Sequence, residues 1–70
     1  MYDHYRFIVD SLEKQIALLA DLVESSRDIA RKYANEQDIY SVARYVKAAD
    51  SNEKTIRQIQ QEINVLRSVK

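Results

Sequence analysis

The side chains that could do chemistry are few. His4 is the only histidine and there is no cysteine, so the imidazole and thiolate sets that hold zinc and its relatives cannot be assembled. A lone imidazole in the first turn of a predicted helix is expected in solvent. No nucleophile, base and orienting group fall at spacings that would bring them together. Enzymatic activity is therefore not expected, and no catalytic residue, metal or cofactor is assigned. What remains is aromatic and cationic. Tyr2, Tyr5, Tyr33, Tyr40 and Tyr45 are the tyrosines, and Arg27, Arg31, Lys32, Arg44 and Lys47 cluster around the middle of the chain. Rings interleaved with cations can stack on bases and neutralise phosphates, or anchor a protein partner. Tyr33 and Tyr45 fall on an apolar seam, where core packing is the first explanation, and Tyr40 and Tyr2 are left for solvent. Residues 27 to 47 hold five basic side chains against Asp28, Glu36 and Asp38, and the whole chain balances 11 basic against 11 acidic residues. No net field draws in nucleic acid, anionic lipid or acidic substrates, so any such binding rests on a local patch.

These residues must be positioned by helices. From Asp3 to Tyr33 the seam residues Tyr5, Val9, Leu12, Ile16, Leu19, Val23, Ser26, Ala30 and Tyr33 alternate at spacings of four and three, the signature of a helix with one buried face. Asp3 suits the start as a cap, and Arg31 and Lys32 suit the end of the helix dipole. The second segment, Val42, Tyr45, Ala49, Asn52, Ile56, Ile59, Ile63 and Leu66, repeats the pattern. The reading is one domain, residues 1–70, with helix 1 at about 3–33, a turn at about 34–37 and helix 2 at about 36–69. No apolar run is long enough for a signal peptide or a membrane span. A soluble, cytoplasmic protein is expected.

The stretch KYANEQDIY, residues 32 to 40, contains neither glycine nor proline. Its break is read from charge and capping. A cationic helix end meets an anionic helix start, and Asn35 followed three residues later by Asp38 resembles a capping box. With the turn there, facing residues of an antiparallel hairpin have numbers that add to 71 or 72: Ala30 with Val42, Ser26 with Tyr45, Tyr33 with Ile39. The rival architecture is a three-helix bundle, with a second break near Asp50, where Asp50 and Glu53 form another box in AADSNEK.

Helix 1 is apolar over an arc of roughly 200°, about twice what one buried face requires. A lone hairpin therefore leaves Ile8, Leu18, Leu22, Ile29 and Val46 uncovered, and such a patch marks an interface. Seventy residues also supply a core worth only about 3 to 5 kcal/mol. The expected architecture is an all-α antiparallel hairpin that completes a four-helix bundle by homodimerisation, in the manner of a coiled coil. Asn52, polar in an apolar seam, is the candidate for fixing register or oligomeric state. The expected function is a small protein-protein interaction module, an adaptor, chaperone or inhibitor, with a heterologous protein partner met by Phe7 and Tyr40. The alternative is an RNA-binding hairpin using Arg27, Arg31, Lys32, Arg44 and Lys47 with the tyrosines near the turn. In outline alone, two helices of about thirty residues joined by a tight turn, the chain is similar to the plasmid copy-number RNA-binding hairpins and to small helical co-chaperones of type III secretion. No motif is shared, and the resemblance assigns no residue a role.

Overall fold

With neither glycine nor proline in the chain, only capping and packing can stop a helix. The computed structural model, which describes residues 4–68 and side chains from residue 5, contains two α-helices, α1 at His4–Asn35 and α2 at Ile39–Ser68. They fold back on each other as an antiparallel hairpin of 57 × 14 × 10 Å. The predicted hairpin is thus present. The cap assigned to Asp3, and the placements of Tyr2 and of the His4 side chain, lie outside the described residues.

The turn sits slightly later than the predicted 34–37, in residues 36–38, and Asp38 rather than Asn35 caps α2. Asn35 remains helical because its successors close α1 by backbone bonds alone. The Asp38 N–H donates to the Tyr33 carbonyl at 3.0 Å and the Gln37 N–H to the Ala34 carbonyl at 3.0 Å. This six-to-one, five-to-two pattern is the Schellman closure, and it requires a left-handed residue at its bend. Gln37 supplies it with φ of 62°, although glycine is the usual occupant. The next residue opens α2. The Val42 N–H donates to the Asp38 carbonyl at 3.1 Å, and the Ser41 N–H to Asp38 Oδ1 at 3.1 Å. Ser41 Oγ adds a bond to Asp38 Oδ2 at 2.8 Å. One residue therefore ends one helix and starts the other.

Centring the turn on Gln37 shifts the hairpin's register from the predicted pairing. Facing residues now mirror about 39, well beyond half of 71 or 72, since Tyr33 and Tyr45 add to 78. Tyr33 stacks on Tyr45, with ring centroids 5.7 Å apart and planes inclined by 13°, instead of meeting Ile39. Ile39, in the first turn of α2, is 80% exposed. The new register brings Ala30 close to the height of Ala49. Small residues there, with Ala30 and Ala49 buried, allow close helix approach.

The core thickens away from the turn. Val9, Ile59 and Ile63 are buried together, with Leu12, Ile16, Leu19 and Leu66 packed against them. Val23 completes the buried seam toward the turn. Tyr5, predicted on the seam, is half exposed at its open end. The second break is absent: α2 passes through Asp50, Ser51 and Asn52 without interruption. Asp50 reaches across to α1 instead of capping a third helix. Among the described residues no helix is long and apolar enough to cross a membrane.

Candidate interaction surface

A hairpin of two helices has two flanks, one on each side of its buried seam. On a helix, residues seven apart share a face. Glu13, Ala20, Arg27 and Ala34 line one flank of α1, and Ile39, Val46, Glu53, Gln60 and Arg67 line the facing flank of α2. Ion pairs identify these two files as neighbours. Arg27 Nη2 bonds Glu53 Oε1 and lies 3.8 Å from Asp50 Oδ1, and Arg67 Nη2 lies 3.6 Å from Glu13 Oε2. All of these side chains are at least two-fifths exposed, so each pair stabilises little, at most about 1 kcal/mol. Their importance is geometric: they mark this flank as polar. A shallow groove on it, lined by Glu13, Ile16, Gln60, Ile63, Asn64 and Arg67, is crossed by the Glu13–Arg67 pair.

The other flank is apolar on α1. Ile8, Leu22 and Ile29 fall in one file at multiples of seven, with Gln15 between them. Leu18 falls in the adjoining file with Ser11, Ser25 and Lys32. Leu18 is 66% exposed, Leu22 54%, Ile8 42% and Ile29 37%. These are four of the five residues predicted for the interface. The fifth, Val46, is also exposed, but it stands seven residues before Glu53 and therefore on the polar flank, across the seam from the others. The predicted interface is thus two separate patches. α2 carries small residues on its share of the apolar flank, Ser41, Ala48 and Thr55.

The turn gathers the cationic residues without concentrating their charge. Arg31 Nη1 is held by Asp28 Oδ1 at 2.8 Å, and Arg27 is engaged across the hairpin. Lys32, Arg44 and Lys47 make no ion pair among the described residues. Tyr40 projects beside them, 82% exposed, whereas Tyr33 and Tyr45 are taken up by their mutual stack. Asp38 is anionic at the tip, its pKa lowered by the hydroxyl and then the N–H of Ser41 bonding its carboxylate. Phe7 is exposed near the open end, as is Val65, which periodicity alone did not single out. Asn52 is half-buried in the unbroken seam. Among the described residues no three His, Cys, Asp or Glu side chains are placed to hold a metal ion.

Comparison with known proteins finds no family profile, no curated protein and no solved structure that matches this chain significantly.

Proposed function

We propose that this chain is a non-enzymatic helical interaction module that completes its fold by pairing with a second copy, giving a four-helix bundle that acts as an adaptor, chaperone or inhibitor of another protein. One observation carries the reading: Ile8, Leu18, Leu22 and Ile29 form an exposed stripe at helical spacing on one flank of α1, while ion pairs occupy the opposite flank. Fully burying a leucine or isoleucine is worth roughly 1.5 to 3 kcal/mol. Four half-covered side chains per copy are therefore large beside a hairpin's own stability. A heterologous partner has Phe7 and Tyr40 available as aromatic anchors outside that stripe.

Sedimentation equilibrium of the wild type and of a Leu22→Glu, Ile29→Glu variant tests the pairing. The wild type is expected to sediment as a dimer and the variant as a monomer, because the twofold relation would bring four new carboxylates into one apolar contact. A stable wild-type monomer, or a variant that assembles equally well, removes self-association from the reading. Capture of an RNA by the wild type, with affinity falling steeply as salt rises, would replace the reading with phosphate recognition by Lys32, Arg44 and Lys47.

A further inference from the structure

The spacing on the apolar flank also specifies how a second copy would sit. We infer that the second copy docks antiparallel, α1 against α1, about a twofold axis passing beside Ala20, so that Leu22 of each chain meets the partner's Leu18. This rests on the self-association proposed above and adds its orientation and register. A symmetric contact requires that if one residue meets another, the second meets the first. In an antiparallel helix pair the layers join one heptad file to the other. With the axis at Ala20, Leu22 faces the partner's Leu18, Gln15 faces the partner's Ser25, and Ile29 faces the partner's Ser11, with the partner's Ile8 one turn away. Four leucines occupy the centre, and toward each end Ile29 lies over the partner's Ser11 and Ile8 over the aliphatic stem of the partner's Lys32. All four apolar residues of the stripe are exposed in the single chain. Sliding by one heptad in one direction sets the leucines against Gln15 and Ser11. Sliding in the other direction carries Ile8 beyond the end of the partner's α1.

Charge complementarity selects the same arrangement. Lys14 and Asp21 lie seven apart at the outer edge of this contact, and neither has an ion pair among the described residues. Antiparallel docking sets Lys14 between the partner's Asp21 and the partner's Asp28. Parallel docking would stack Gln15 on the partner's Gln15 and set Lys32 against the partner's Lys32. The hairpin geometry then brings the two α2 helices side by side on the faces carrying Ser41, Ala48 and Thr55.

Disulfide trapping decides it. Chains carrying Ser11→Cys and chains carrying Ile29→Cys, mixed and oxidised, are expected to link to each other, and neither is expected to link to itself. Two Ser11 positions would stand 18 residues apart along the paired helices, roughly 27 Å at ~1.5 Å per residue. A dimer in which Ser11→Cys links to itself is parallel, and a dimer in which nothing links has its contact elsewhere. Either overturns the register while leaving self-association intact. A wild type that is monomeric by sedimentation removes both. As a second measurement that disturbs no apolar residue, Lys14→Glu should weaken dimerisation roughly threefold to tenfold, and Asp21→Lys in the same chain should restore it. Unchanged association in Lys14→Glu counts against the antiparallel docking.

Discussion

Gln37 carries the turn in a conformation that ordinarily belongs to glycine. A residue with a Cβ in the left-handed region is held there at a cost of order 1 to 2 kcal/mol. The flanking backbone bonds of Tyr33, Ala34 and Asp38 enforce it. Gln37→Gly is therefore expected to raise stability by roughly 0.5 to 1 kcal/mol, read as a higher urea midpoint, with unchanged helicity by circular dichroism. A lower midpoint would mean that the entropy glycine adds to the unfolded chain outweighs the relieved strain. Asp38 gives the turn a pH dependence. Its carboxylate accepts two bonds from Ser41, which hold its pKa below the ordinary value. The folded pKa is thus the lower of the two states. The cap's contribution is fully present above the unfolded pKa and is lost as pH falls through the folded one. Urea midpoints of the wild type and Asp38→Asn should therefore differ at neutral pH and converge under acid. A constant gap across the carboxylate range would mean that the charge of Asp38 contributes nothing to the cap.

The helices were legible in the sequence because periodicity survives every substitution that keeps the seam apolar, and Tyr5 to Tyr33 and Val42 to Leu66 hold theirs without loss of phase. Where α1 stops was less legible. Asn35 and Asp38 are both competent caps, and a left-handed glutamine has no signature of its own. The residual signal was Asp38 with Ser41 at the third helical position, a pairing of accepting cap and donor that places the boundary correctly. That displacement was enough to re-pair the seam, setting Tyr33 on Tyr45 and releasing Ile39 to solvent. Four of the five interface residues lie together because they share one helix. Val46 does not, because a helical wheel shows which residues of one helix share a face but not which flank of the hairpin that face joins. The ion pairs supply that relation. They and the core can be weighed against each other. Ile59→Ala removes a buried side chain from the thick end and should cost about 2 to 5 kcal/mol, enough to unfold an unassisted hairpin. Arg27→Gln breaks a partly exposed ion pair and should cost at most about 1 kcal/mol. Thermal melts of both variants check the order. Comparable losses would mean that the polar flank stabilises far more than its exposure allows.

As a molecule, the hairpin is a long plate with unequal edges. One edge is laced by Arg27, Glu53, Glu13 and Arg67, and the other carries the bare stripe of α1. A plate that were adhesive on both edges would have no reason to stop at two, because each addition would present a fresh edge and growth would run on as a ribbon. If the stripe of α1 is the one adhesive edge, as proposed, a second copy that covers it also uses up the edge where a third would attach. The weak ion pairs are then more consequential for what they prevent than for the free energy they contribute. In the proposed dimer they would end the assembly, leaving Ile39, Tyr40 and Val46 near the turn as isolated apolar contacts too few to restart it.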